Sequence, residues 1–199
     1  EIGSAVIGKC TFTLNNYNED FTDYDFFNAT AVVWVGLEGD TTNDQQNYNR
    51  LGFFTVDEPQ IAGSLVSLEL LDYMWKFDVP LDDVTITYGV STTARDIVSA
   101  ICSHCGVQLY TQQFHGYNFI ISQAPEDTEN MNCREMLNYI AMIGCNFCVI
   151  DSQGYLNIKW YAPTDTQDVA TFTWLKSCTL GTDEITITGL KMKVGDTDL

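Results

Sequence analysis

The chain has 199 residues, with 27 acidic and 9 basic side chains and a net charge of −18 at pH 7. A surface of that sign repels phosphate, so specific nucleic-acid binding is not expected, and no apolar run is long enough to span a membrane as a helix. Hydrophobic residues make up 45% of the chain, enough for a real core in one large domain or two small ones.

Seven cysteines without a signal peptide point to reduced thiols in a cytosolic setting. The odd count leaves at least one unpaired in any monomeric disulfide scheme. The acids are scattered along the chain, as on a solvated surface. The first residue is Glu1 rather than Met, so the chain is expected to be a piece of a longer protein.

Residues 5–14 read as a strand with Cys10, Phe12 and Leu14 on one face. A polar turn follows at 15–20, then aromatics alternating with Asp23 and Asp25, then a strong β run at 31–37. Residues 39–49 form a polar loop, expected to be mobile. Period-two alternation marks two further strands, at 51–56 and, through Val66, Leu68 and Leu70, at 66–70. The stretch 58–63, EPQIAG, is expected to turn the chain between them. The next residues, DYMWKFD at 72–78, mix large apolar groups with charges. They read as a corner that packs its aromatics, Trp75 included, under the sheet before the chain enters a new unit. Short strands on hairpin-length connections suggest a small barrel or sandwich.

Beyond a short strand expected at 84–88, the period changes. Ala94, Ile97, Val98, Ile101, Cys102 and Cys105 form one helical stripe, opened by Thr93 with Asp96 three residues later and closed by Gly106. Strands are expected at 107–111 and 117–122. The unit then recurs. Subtracting 39 from Cys133, Met136, Leu137, Ile140, Ala141 and Gly144 returns the first stripe, and the cap pair Asn132 and Glu135 maps onto Thr93 and Asp96. Strands at 146–151 and 154–160 complete it, with Gly154-Tyr155 matching Gly116-Tyr117 at an offset of 38. The expectation is an α-β-β unit used twice, two helices on a small sheet. Residues 162–169 read as a linker, and 171–174 and 185–194 return to β alternation.

Two CxxC pairs, Cys102/Cys105 and Cys145/Cys148, have the composition of a tetrahedral zinc site. The repeat points the other way. Cys102 and Cys105 lie on the buried stripe of the first helix, where Ala141 and Gly144 take their place in the second, so buried free thiols are the expectation and no metal or cofactor is assigned. His104 and His115 have no catalytic motif around them, and nothing selects a carboxylate pair from 27 acids. Asp20, Asp23 and Asp25 lack the glycine and closing Glu of a calcium loop, and the sequon Asn28-Ala29-Thr30 stands in a chain without a secretion signal. No catalytic residue is assigned, and the chain is not expected to be an enzyme.

Several segments together resemble one known family. They are RLGFFTVDEP (50–59), LDYMWKFD (71–78), ARDI (94–97), ICSHCGV (101–107), CREML (133–137), GYLNIKWY (154–161) and TITGL (186–190). In order and spacing they are similar to the tail-tip, or baseplate hub, proteins of tailed phages and prophages. The resemblance runs over roughly residues 5–195. It implies an α+β fold: a β-barrel-like hub domain over 1–88, an inserted domain of two α-β-β repeats over 89–163, and a returning β segment over 164–199. That segment closes the first barrel or starts a second, truncated one. The resemblance also implies a structural virion protein, made in the bacterial cytoplasm, that forms a homotrimeric ring at the distal end of the tail tube. Its neighbours there would be the distal tail protein, the tube or tape measure, and a fibre or lysin. DNA would pass through the ring without being bound specifically, past an inner face expected to be acidic. Alternatives from other classes are a zinc-binding interaction module, a cell-wall hydrolase using a carboxylate pair, and the non-catalytic part of a tail-associated hydrolase.

Overall fold

The computed structural model describes residues 2–36, 48–125 and 130–160, and the backbone of two short pairs near the C-terminus. The chain divides into two units, Glu1–Ala162 and Pro163–Leu199. In the second, Lys193–Val194 (β7) pairs antiparallel with Thr197–Asp198 (β8). The expected strand at 171–174 and most of the one at 185–194 lie outside the described residues, as does most of the 39–49 loop.

The first unit opens with a four-stranded antiparallel sheet. Its strands are β1 (Lys9–Asn15), β2 (Thr30–Val35), β3 (Asn49–Ala62) and β4 (Leu65–Asp72), in the order β1-β4-β3-β2. The alternation read from the sequence sets the register, with Cys10 facing Leu70, Phe12 facing Leu68 and Leu14 facing Val66. Val33, Val56, Val66, Leu68 and Leu70 form a small buried core on the inner face. The sheet curls into a half-barrel, so its edges β1 and β2 do not close on one another. Phe21, Tyr24 and Phe26, which precede β2, form an aromatic cluster with ring centroids 6.0–6.3 Å apart. Phe21 and Phe26 pack against that core.

The turn expected at 58–63 belongs to β3. The strand runs on to Ala62 and the hairpin closes over Gly63 and Ser64, with Gly63 at φ +58°. A positive φ at the first residue of a two-residue loop and not at the second, Ser64, marks a type II′ turn. Pro59 is tolerated because the register slips between Val56 and Glu58 and because β2 pairs with β3 only as far as Thr55. Pro59 therefore stands on a bulged strand with one side free of pairing, where a missing N–H costs no ladder bond.

At the corner, Asp72 caps a 3-10 turn over Tyr73–Phe77 by accepting a hydrogen bond from the Met74 N–H at 3.0 Å. The anchors are Met74 and Phe77, both fully buried, whereas Trp75 is only partly covered. Residues 84–88 form no strand, and Val84 packs into the core from an irregular segment.

Helices α1 (Ala94–His104) and α2 (Cys133–Ile143) follow the stripes read from the sequence. Ala94, Ile97, Val98, Ile101 and Cys102 are buried on α1, and Cys133, Met136, Leu137, Ile140 and Ala141 on α2. Both capping boxes form, Thr93 with Asp96 and Asn132 with Glu135. Gly106, at φ +65°, follows the C-cap of α1 as expected. The helices cover a small sheet in which β5 (Phe147–Ile150) pairs antiparallel with β6 (Leu156–Lys159). Ala5 bridges to Cys148 and Leu109 to Leu156, both in parallel, extending the sheet on either side. Its buried amide, Asn157, donates to Asp151 Oδ2 at 2.7 Å and accepts from Thr111 at 3.2 Å.

The second α-β-β unit is complete, but the expected hairpin of the first does not form. In its place Leu109 makes an isolated bridge and residues 117–121 cross the N-terminus of α1, where Ala94 N donates to Phe119 O at 2.8 Å and Ile121 N to Thr92 O at 2.9 Å. At α2, Cys133 N donates to Val79 O and Leu81 N to Met131 O, both at 2.9 Å. A segment preceding each helix thus clamps the start of the other. These contacts use donors that a helix N-terminus leaves unpaired, so backbone demand at the helix starts competes with hairpin pairing.

Candidate functional site

The four cysteines of the two CxxC pairs differ in burial, and Cys102 lies within electrostatic reach of Cys105 and Cys148. Cys102 is buried on α1, Cys105 is half-buried at its C-cap, Cys148 is buried on β5, and Cys145 is exposed at φ +53° in the turn after α2. Cys145 therefore stands apart from the other three in burial. Burial raises the Cys102 and Cys148 thiols to about 12, and neighbouring cysteines add to the rise at Cys102. Both are inert apolar side chains at neutral pH.

The contact that sequence reading missed involves Cys133, the first residue of α2. Its fully buried thiol meets the Cys105 thiol and lies 3.9 Å from Pro80 O. Cys133 was visible only as a stripe position, and nothing in its spacing paired it with the end of α1. The contact lowers the Cys105 thiol's pKa and raises that of Cys133, on which burial and Asp83 act in the same direction. Of the two, the half-exposed Cys105 loses its proton first. Among the described residues no three His, Cys, Asp or Glu side chains converge as they would around a metal ion.

His104 is exposed at the end of α1, whereas His115 is tied into the fold. His115 shares a hydrogen bond between Nδ1 and the Gly144 carbonyl oxygen (2.6 Å), stacks on Trp160, and accepts through its own carbonyl from Asn146 Nδ2 at 2.7 Å. Asp25 accepts from the Phe27 N–H in a local turn, and Asp20 and Asp23 are exposed nearby. Asn28 is exposed at φ +60° just ahead of β2.

The other distinctive surface is the open side of the half-barrel. Phe12, Leu14, Ala31, Val33, Leu68 and Leu70 line a shallow apolar cavity of about 410 Å³. Phe12, at 36% exposure, and Val32, at 40%, leave its mouth apolar. Arg50 lies over the rings of Trp34, which also lines the cavity, and Phe53, at 5.6 and 4.8 Å from their centroids. Phe53 stacks on Tyr73, which carries Lys76 above its ring at 3.7 Å. Open apolar surface beside Arg and aromatic side chains suits a protein contact better than a small-molecule pocket.

No helix among the described residues is long and apolar enough to cross a membrane. No family profile matches the sequence, and no curated protein matches it. Among solved structures, the chain is similar to the 43 kDa tail protein of prophage MuSo2 from Shewanella oneidensis, with a TM-score of 0.51 and 16% identity. The match covers 80% of this chain and 48% of that one, so this chain spans about half the length of the tail protein whose fold it shares.

Proposed function

We propose that the chain is a structural, non-catalytic component of a phage or prophage tail, within the hub at the tail tip. The observation that carries this reading is the fold shared with a prophage tail protein over 80% of the chain. The order and spacing of the segments between 50 and 190 support it independently. In the proposed assembly three copies form a ring at the distal end of the tail tube, in contact with the distal tail protein, the tube or tape measure, and a fibre or lysin. The open half-barrel supplies apolar surface for subunit contacts. Residues 89–163 are an inserted domain in which the second α-β-β unit is complete and the first keeps its helix without its hairpin, and residues 164–199 return to the β architecture. The net charge of −18 suits a channel wall past which duplex DNA slides without being held.

Sedimentation equilibrium of the full-length gene product tests the ring. A mass of three chains is expected at micromolar concentration, and a monomer under the same conditions would rule the trimer out. In a reconstruction of the assembled ring the lumen is expected to be acidic, and a neutral or basic lumen would remove the charge argument.

A further inference from the structure

Building on the ring of copies proposed above, we propose that a cationic, aromatic corner of the half-barrel, at Arg50 and Lys76, receives the acidic loop 19–25 of a second copy of this chain, head to tail. The corner is a ladder of side chains. Arg50 lies over Trp34 and Phe53, Phe53 stacks on Tyr73 with ring centroids 6.2 Å apart, and Lys76 stands over Tyr73. All five keep part of their surface exposed. Gly154, at φ +81°, lets the rings settle: a Cβ there would come within 3.1 Å of Tyr73. Trp34 also lines the apolar cavity, so the ladder and the open mouth share one border.

The two cations lack acids. In a chain with 27 acidic and 9 basic residues, neither Arg50 nor Lys76 makes an ion pair among the described residues, whereas Lys9 pairs with Glu69 and Arg134 with Asp78. Arg50 Nε is shut off from solvent and donates to no acceptor among those residues. A donor stripped of water with no partner is costly, and an incoming acceptor relieves that cost. Asp72 and Asp151 share a small cavity with Phe53, but both are engaged. Asp72 accepts from the Met74 N–H, and Asp151 accepts from the Gln153 and Tyr155 N–H groups and from Asn157. Arginine stacked on aromatic rings offers a planar fork that matches a carboxylate, and Arg with Trp or Tyr is the composition of interface anchors.

The complementary charge stands at the other end of the same half-barrel. Glu19, Asp20, Asp23 and Asp25 are all exposed, and none is in an ion pair among the described residues. Their loop is tied down on both sides, with Asn16 N donating to Ser64 O at 2.6 Å and Asn28 N to Val56 O at 3.0 Å. Arg50 faces Trp34 near the start of β3. The rise from residue 50 to residue 56 puts the two patches roughly 20 Å apart along the strand, so the loop serves another copy's corner and not its own. Two chains of net charge −18 repel each other overall, and their contact needs opposite charges placed locally. Opposite charges at opposite ends suit a heterologous contact, the kind from which a cyclic ring is built.

The test is sedimentation equilibrium of the full-length gene product and two charge-reversal variants, with circular dichroism confirming that each folds. The unmutated protein should have the mass of three chains, and its apparent Kd should rise at least about tenfold as salt is raised from about 50 mM to about 500 mM. The corner variant Arg50→Glu/Lys76→Glu and the loop variant Asp20→Lys/Asp23→Lys should each sediment as single chains. Combined in one chain, the four substitutions should restore the mass of three, because the reversed corner meets a reversed loop. If the corner variant fails to fold, the loop variant decides, since it changes only exposed side chains. A trimer that persists in the loop variant, or one indifferent to salt, would overturn this contact and leave the ring standing. An unmutated protein that stays monomeric would overturn the ring and the contact together.

Discussion

The two halves of the first unit bury their side chains differently. The helical layer is closed: both helices, the 3-10 turn and the small sheet contribute to one core of fully covered residues, among them Phe77, Ile101, Leu137 and Leu156. Among the described residues the half-barrel core has five buried hydrophobic side chains, and it keeps an apolar mouth open beside them. A closed core is made for stability, and an open one has surface left over for a partner. The fold thus has one half with a sealed core and another whose apolar surface stays open.

Truncation should separate the two most strongly. Ile101→Ala and Leu137→Ala leave cavities in a sealed core and should each cost about 3–5 kcal/mol by chemical denaturation. Leu68→Ala faces the open cavity, where fewer neighbours lose contact, and should cost about 2 kcal/mol or less. Equal losses at Ile101 and Leu68 would erase the distinction. Smaller effects are expected at the helix caps. Thr93→Ala and Asn132→Ala should each cost about 1 kcal/mol, and together about the sum.

The mouth of the half-barrel should behave in the opposite way. Phe12→Asp changes a partly exposed residue, so the isolated chain should shift by no more than about 0.5 kcal/mol. Association of the full-length protein, read by sedimentation, should be lost. A variant that unfolds the monomer would show Phe12 to be core instead of interface.

The smallest effect sharpens the corner between the halves. Burial raises the Asp72 pKa, against N–H groups of Met74 and Gly8 that lower it. The folded pKa then lies above the unfolded one. The charged form carries a penalty that grows as pH rises through that window and is relieved as pH falls below it. Asp72→Asn keeps an oxygen to accept from Met74 and removes the charge. It should raise Tm slightly at neutral pH and leave it unchanged in acid. Asp96 has the reverse sign, since hydrogen bonds from Thr93 lower its pKa and its contribution disappears as pH falls through the folded value.

The helical layer was the more legible half in the sequence. Its stripes and caps are local signals, each decided within one helical turn, and Thr93, Asn132 and Gly106 all act as read. Strands were legible in type but not in extent. A bulge let β3 run through Pro59, and the hairpin turned on Gly63, whose role depends on pairing with β4. The missing first hairpin is a long-range effect, because residues 117–121 serve the helix start instead. The Cys105–Cys133 contact was illegible for the same reason: it joins the ends of two helices that only the fold brings together.

The central claim, that this chain is part of a phage tail tip, is tested most directly by electron microscopy of particles labelled with a gold-conjugated antibody against it. Label confined to the distal end of the tail is the expected result. Particles that carry no label, or label spread along the tube or on the capsid, would contradict it.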